Sequence, residues 1–411
     1  MARCLQDAGH VAYFAGGCVR DELLGLEPTD YDVATDATPD RIRGQFDRTS
    51  EVGAAFGVML VREDHQTIEV ATFREEGAYT DKRRPDEVRF STADKDARRR
   101  DYTVNALFLD PVAADERDSA PEGVGTIHGH VIDLVSGMDD LHAKLIRAVG
   151  DPNDRLAEDH LRALRGVRLA ARLGFEIEAE TARAIREHAS ELVGVSRERI
   201  GEEVRRIMGH PSRARAASMI QCLGLDGPVL GLAIGDRPLR TIEALRSTAS
   251  AAAGLGAWAI DRAGDGKALD CVGSWRERLM LSNDEWRALR SALACLSAFQ
   301  VKWGSLGVAP RKRMLAGPGA CDAMSLLAAV DPSTHGVVSE DAESLEGDGV
   351  GIEPAPLVTG DDLVGAGFKP GLGFKALLDA VYDAQLEGRV RDASAALELA
   401  IGEASGHGLE R

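Results

Sequence analysis

No apolar run in this chain reaches the roughly 18 residues of a membrane-spanning helix. A membrane partner is therefore not expected. Met1 to His10 lacks the long apolar stretch of a secretory signal. The six cysteines (Cys4, Cys18, Cys222, Cys271, Cys295 and Cys321) contain no C-x-x-C pair. That argues against a zinc cluster or a disulfide framework, and reduced thiols in a cytoplasmic protein are the expectation. No repeat of 20–50 residues is visible. Basic charge is also scarce: 49 Lys and Arg stand against 67 Asp and Glu, a net charge of −18. A protein that grips RNA phosphates needs a basic footprint, so any such footprint here has to be local.

The charge is in fact unevenly spread. Lys82, Arg83, Arg84, Arg89, Lys95, Arg98, Arg99 and Arg100 crowd into one stretch with only Asp86, Glu87, Asp94 and Asp96 against them. Glu340 to Glu353 carries acidic residues and no basic ones. With 411 residues, 44% apolar and 28% charged, two to four domains with real cores are expected.

The first 145 or so residues read as α/β. Val11–Ala15, Tyr31–Ala34, Val58–Val61, Thr67–Phe73 and Val131–Leu134 have strand character. Val19–Leu24 looks helical, and a further helix starts at Thr38-Pro39-Asp40, with Thr38 as the cap. After Gly150-Asp151-Pro152 the pattern turns helical. Leu161, Leu164, Val167 and Ala171 recur at helical spacing, and helices are predicted over Ala179–Leu192 and Arg197–Met208. Residues 331–356, rich in Gly, Ser, Pro and acid, read as a flexible insertion. Leu357–Ile401 reads as mostly helix after Gly373.

Three groups of residues carry chemistry. Gly16-Gly17-Cys18-Val19-Arg20-Asp21 follows a strand and opens a helix. Glycines there let backbone N–H groups approach a phosphate, and a helix start favours anions. Taken alone, the same pattern fits any tight strand-to-helix turn. Asp30-Tyr31-Asp32 comes next, and residues two apart on a strand share a face. Two carboxylates side by side repel unless a cation sits between them, and Mg²⁺ with oxygen ligands is the natural occupant. Glu69, flanked by Ile68 and Val70, is a candidate third ligand or orienting group on a neighbouring strand. Finally, Asp159, Arg162, Arg165 and Arg168 fall three apart on one predicted helix, with Arg168 on its apolar side, where an Arg is seldom left unpaired.

In this combination the chain resembles the polymerase-β nucleotidyltransferase superfamily, and within it the class II tRNA nucleotidyltransferases and bacterial poly(A) polymerases. Gly16 to Thr35 matches G-G-x-V-R-D … D-x-D-x-x-T almost completely. Arg99-Arg100-Asp101-Tyr102-Thr103-Val104-Asn105-Ala106 matches R-R-D-[FL]-T-[IV]-N-A apart from Tyr102. Glu158 to Arg168 matches E-D-x-L-R-x-L-R-x-x-R, and Arg199-Ile200-Gly201-Glu202-Glu203 is a weaker match to R-I-x-x-E. Leu156 and Leu169 stand where the family commonly has Phe.

The resemblance implies an α+β fold in which a nucleotidyltransferase head (1–148) precedes a helical neck (149–210), body (211–300) and tail (301–411). It implies catalytic roles for Asp30, Asp32 and Glu69, with Asp30 and Asp32 holding two Mg²⁺ ions. Gly16, Gly17 and Arg20 would hold the triphosphate, and Arg100 would meet sugar or phosphate. Asp101, Asn105, Arg165 and Arg168 complete the expected nucleotide-binding set. Asp159 and Arg162 would read the base, since cytosine and adenine both offer an amine beside an acceptor nitrogen while uracil and guanine reverse that pattern.

The implied activity is addition of CCA to the 3′ end of tRNA from CTP and ATP, with A-only or poly(A) addition as alternatives. Glu75 to Val88, with Tyr79, Asp81, Arg84 and Pro85, looks like the loop of members that add A. A small-molecule nucleotidyltransferase and a catalytically inactive RNA-binding module are readings from other classes. No protein partner can be inferred. His128 and His130 read as structural.

Overall fold

The computed structural model describes residues 1–53, 57–63, 66–76, 88–111, 129–231, 237–371 and 373–409. It divides into two compact units, Met1–Ile207 with Arg215–Gly235, and Met208–Ala214 with Asp236–Arg411. The loop expected between Glu75 and Val88 lies, but for its ends, outside the described residues, as does His128.

The first unit is built on a mixed sheet. Its strands are β1 (Ala12–Ala15), β2 (Asp32–Thr35), β3 (Thr49–Gly53), β4 (Val58–Glu63), β5 (Gln66–Thr72), β8 (Phe108–Asp110) and β9 (His130–Ile132). Between β5 and β8, β6 (Arg74–Glu76) and β7 (Val88–Phe90) form a separate antiparallel hairpin. The sheet order is β3-β4-β5-β2-β1-β8-β9, and β2 runs parallel to β5 while its other neighbour, β1, is antiparallel. Both faces carry a packed core. Val33, Val61 and Val70 pack on one side with Leu5, Ile42 and Met59. Ala15, Ala34 and Phe108 pack on the other with Phe73, Ala106 and Val149. Alternation along each strand produces this division, because successive side chains leave on opposite faces.

Helices α1 (Ala2–Asp7), α2 (Gly17–Leu23), α3 (Pro39–Gln45), α4 (Ala93–Arg98) and α5 (Gly137–Ala143) flank the strands in sequence. Thr38 stands at the N-cap of α3 as expected, but its side chain makes no capping hydrogen bond. Beyond the head lie α6 (Pro152–Glu158), α7 (Arg162–Leu173), α8 (Ala179–His188) and α9 (Arg197–Met208). A two-stranded parallel ladder of β10 (Leu145–Ile146) with β11 (Glu176–Ile177) accompanies them. The short strands β6, β7, β8, β10 and β11 carry too few residues for alternation to show in the sequence.

Two expectations need correction. Helical spacing puts Asp159 on the same helix as Arg162. Instead α6 ends at Glu158, Asp159 is extended (φ −152°, ψ 101°), and α7 begins at Arg162. The Asp159 side chain accepts the Leu161 N–H at 3.1 Å, so it competes with helical pairing in the way short acidic side chains do.

The second correction concerns residues 331–356, whose composition suggests flexibility. Pro332–Glu346 is a helix, started by Asp331, which accepts from the Thr334 N–H (3.0 Å) and hydroxyl (2.6 Å), with Pro332 at the first helical position. Val338 buries fully on it. After it, Lys312 Nζ, wholly buried, meets Asp348 at 2.6 Å.

The second unit is otherwise helical, with Trp258 and Trp275 edge to face at 5.9 Å in its core. Its C-terminal helices, Gly373–Leu386 and Ala393–Glu403, share a core of Leu363, Phe368, Leu377 and Val381. No helix among the described residues is long and apolar enough to cross a membrane.

Candidate active site

The strand register brings the acidic residues together. In the parallel pairing of β2 with β5, Asp32 stands directly opposite Glu69. Both are exposed, on the face that buries Ala34 further along β2. Asp30 lies two residues before Asp32, just ahead of the first paired residue rather than within the strand. Partial burial and the charge of Glu69 push the Asp32 carboxyl up to about 6; Arg100 pulls it down and Asp30 adds to the rise. This is a concentration of negative charge built only from oxygen donors. It fits a hard divalent cation, with Asp30, Asp32 and Glu69 as the available ligands.

Gly16 and Gly17 join β1 to α2. Gly16 has φ +78°, open to glycine at little cost, and a Cβ there would lie 2.9 Å from Arg100 Nη1. Substitution therefore meets both backbone strain and a clash. Arg100 is held from two sides. Its Nε and Nη2 donate to Asp96 Oδ2 at 3.2 and 3.1 Å, and Nη1 donates to the Asn105 carbonyl at 3.1 Å. The guanidinium lies 5.0 Å from the Phe108 ring centroid. Asp96 also takes Arg99 (2.7 Å). Burial raises its carboxyl, but Arg100 and Arg99 outweigh that and hold it below the usual range.

Arg20, the residue expected to reach a triphosphate, is 4% exposed. Its guanidinium is bound by Asp21 Oδ1 (2.8 and 2.6 Å) and by the Asn105 side-chain oxygen. Arg172 Nη2, from α7, holds the other Asp21 oxygen at 3.1 Å. Arg20 thus links α2 to the Asn105 turn, and Asn105 in turn donates to Asp101 at 3.2 Å.

Asp101 is nearly buried. It meets Arg165 Nη2 at 2.9 Å and accepts the Tyr102 N–H at 2.8 Å. Burial raises its carboxyl, yet Arg165, Asn105 and Arg162 together hold it low.

The third motif does not bring Asp159 onto Arg162. Arg199 donates to Asp159 through Nη2 (2.5 Å) and Nη1 (3.2 Å). Arg162 Nη1 donates to Glu158 at 2.5 Å and to the Arg155 carbonyl at 2.6 Å. Arg168 Nε meets Glu203 Oε2 at 2.6 Å, the partner that its place on the apolar side demands. Arg199 and Glu203 belong to the R-I-x-x-E match, to which the sequence assigns no role. Their spacing of four on α9 was the available signal, since it puts both on one helix face. Tyr102, the departure from the family pattern, donates its hydroxyl to the Arg162 carbonyl at 2.5 Å.

Residues 12–147 match the poly A polymerase head domain, and residues 174–226 match the probable RNA and SrmB-binding site of polymerase A. The CCA-adding enzyme of Bacillus pumilus (strain SAFR-032) is 43% identical over 205 residues, which cover 50% of the present sequence and 47% of that protein. That of Bacillus subtilis (strain 168) is 42% identical over 221 residues, which cover 53% of the present sequence and 52% of that protein. The chain therefore spans about half the length of the curated relatives it matches. The crystal structure of the Bacillus stearothermophilus CCA-adding enzyme in complex with CTP is similar over 96% of the present sequence and 95% of its own, with a TM-score of 0.72 at 26% identity. The chain thus carries a poly A polymerase head domain followed by a match to the probable RNA and SrmB-binding site of polymerase A, and over about half its length it is similar to CCA-adding enzymes.

Proposed function

We infer that this protein is a template-independent nucleotidyltransferase that adds CCA to the 3′ end of tRNA from CTP and ATP, releasing pyrophosphate. The observation that carries this reading is the register of Asp32 beside Glu69, with Asp30 two residues away, on a sheet whose adjoining turn is Gly16-Gly17. The similarity to CCA-adding enzymes supports tRNA as the acceptor.

Asp30 and Asp32, with Glu69 beside them, are the residues that would hold Mg²⁺. Mg²⁺ bound there would activate the RNA 3′-hydroxyl and stabilise the departing pyrophosphate. The triphosphate would meet the backbone N–H groups at the start of α2, from Gly17 onward, since the Gly16 N–H is donated to the Leu107 carbonyl at 3.0 Å. Arg20 acts as a positioning residue, fixing the Asn105 turn and through it Asp101. Arg100, locked by Asp96, keeps one guanidinium edge against the Gly16 backbone. Asp159 accepts from the exocyclic amine of cytosine or adenine. Oδ1 already accepts from the Leu161 N–H and Arg199 Nη1, so the amine would meet Oδ2, whose second lone pair lies beside Arg199 Nη2. Arg162 donates to the adjacent ring nitrogen, Arg165 tethers the reading helix to Asp101, and Arg168 anchors it to Glu203. The cytoplasm is the corresponding location.

Addition of A alone or of poly(A) uses the same residues, and the loop between β6 and β7 is where members of the family would differ. The deciding experiment supplies CTP and ATP with tRNAs ending before CCA, after C and after CC, and sequences the products. CCA on all three supports the reading. Only a terminal A on the last identifies an enzyme that adds A alone, and a long A tail identifies a poly(A) polymerase. No extension with intact tRNA binding identifies an inactive RNA-binding module.

A further inference from the structure

Three ligand-capable side chains converge in the neck at a place the proposed reaction does not use. His160 is the residue after Asp159, in the break between α6 and α7. His188 is the last residue of α8, and Glu191 lies in the 3₁₀ turn Ala189–Gly194 that follows. His160 Nε2 is 3.1 Å from Glu191 Oε2, and His188 Nδ1 is 2.8 Å from Glu191 Oε1. The two imidazoles stack with centroids 6.0 Å apart. One ligand atom from each of the three residues lies within 4.8 Å of the other two.

We propose that His160, His188 and Glu191 form a binding site for a zinc-class divalent cation, which fastens the α6–α7 break to the corner after α8. Two imidazoles and one carboxylate are a recurring three-ligand set for such cations, with the fourth position left to water. Zn–N and Zn–O bonds of about 2.0–2.1 Å set the ligand atoms of a tetrahedral site roughly 3.3 Å apart. The contacts at 2.8 and 3.1 Å, each to a different oxygen of Glu191, are near that spacing, and the three ligand atoms, within 4.8 Å of one another, have to close further to reach it. His160 is 3% exposed, so its ring is already fixed by packing and little order has to be gained on binding. Glu191 remains on the surface and leaves a route of entry.

Imidazole nitrogen favours zinc, cobalt or nickel over magnesium, whereas Asp30, Asp32 and Glu69 offer oxygen alone. The two places therefore sort cations oppositely. Cation binding needs a bare nitrogen on each ring, so a proton on His160 Nε2 or His188 Nδ1 would move to the other ring nitrogen or to solvent. Because His160 adjoins Asp159, an occupied site holds the break that carries the proposed base reader. Binding itself does not depend on the nucleotidyltransferase reading.

The test uses the full-length protein, stripped with a chelator and titrated with Co²⁺ while visible absorption is followed. One equivalent should produce the strong bands of four-coordinate cobalt, which an all-oxygen six-coordinate site does not give, and Zn²⁺ should displace it. The bands should persist in Asp30→Asn/Asp32→Asn. In His188→Ala and in Glu191→Gln they should vanish, or affinity should fall by at least about tenfold. Zn²⁺ should raise the Tm of the unmodified protein more than that of either variant. Matching circular dichroism in chelator verifies folding, and Glu191→Gln decides if His188→Ala does not fold. Absence of four-coordinate bands at saturating Co²⁺, or unchanged affinity in the variants, overturns the proposal and leaves a cluster held by packing and the His188–Glu191 contact.

Discussion

Arg199 donates to both carboxylate oxygens of Asp159, reaching across 40 residues of sequence from α9 to the break before α7. A forked guanidinium fixes the plane of the carboxylate as well as its place. If Asp159 reads the base, Arg199→Ala should let that carboxylate turn, and preference for CTP over UTP should drop. A charge-assisted pair contributes about 1.5–3 kcal/mol, or roughly 10- to 100-fold in the ratio. Arg199→Lys should restore only part of it, since an ammonium cannot fork. The comparison is kcat/KM for CTP and UTP on tRNA ending before CCA. A lower Tm with an unchanged CTP-to-UTP ratio would make Arg199 a purely structural residue.

The second α9 contact, Glu203 with Arg168, should act on stability. Glu203 is 5% exposed and Arg168 Nε lies 2.6 Å away. Removing either partner leaves a largely buried charge, so Glu203→Ala should cost about 1–3 kcal/mol of unfolding free energy. Arg168→Ala/Glu203→Ala should cost less than the sum of the two single changes, because no unpaired charge remains. Urea unfolding of the four proteins measures this. Strict additivity would show that the pair contributes nothing beyond its separate side chains.

These two contacts also show where sequence reading stops. The apolar spacing of Leu161, Leu164 and Val167 announces α7, and the place of Arg168 on that face announces that it needs a partner. Which carboxylate supplies it depends on how α9 packs, and no local pattern contains that. Asp159 is misplaced by periodicity because helical spacing continues through it, while its side chain captures the Leu161 N–H and breaks the helix. Asp32 and Glu69 are legible as candidates, but their register is not, because pairing is a long-range event. Pro332–Glu346 escapes a compositional reading because acid and glycine suggest disorder, when Asp331 and Pro332 also spell a helix start.

Asp32 gives a prediction about pH. Its folded carboxyl is raised to about 6 from an ordinary value of 3.8. Between those values the folded protein holds a proton that the unfolded protein has released, so stability falls as pH rises through this window. Above about pH 6 the charged carboxylate opposes folding in full; below 3.8 the effect disappears. In buffer free of divalent cations, Asp32→Asn should therefore have a higher Tm than the unmodified protein at about pH 8 and the same Tm near pH 3.5. Mg²⁺ at the higher pH should raise the Tm of the unmodified protein and not that of the variant. A variant less stable than the parent there without cation would show that Asp32 is not under electrostatic strain.

Tyr102 and Gly166 are matched to each other. A Cβ built on Gly166 would lie 2.3 Å from the Tyr102 hydroxyl oxygen and 2.7 Å from Cζ. That hydroxyl donates to the Arg162 carbonyl at 2.5 Å, so α7 rests against Tyr102 one turn above the position where only glycine fits. Tyr102 is 1% exposed and cannot swing away into solvent. Gly166→Ala should consequently push α7 from its seat, at a cost of about 1–3 kcal/mol for overpacking. Tyr102→Phe should cost about 0.5–1.5 kcal/mol by removing one hydrogen bond. In the double variant the nearest clashing atom is gone while Cζ remains, so the combined loss should fall short of the sum without returning to the parent. The same displacement moves Arg162 and Arg165, so kcat/KM for CTP should drop in Gly166→Ala and partly recover in the double variant. Urea unfolding and single-nucleotide incorporation on the four proteins check both halves. Additive losses in stability, or no recovery of CTP incorporation, would show that the fit between Tyr102 and Gly166 does not set the position of α7.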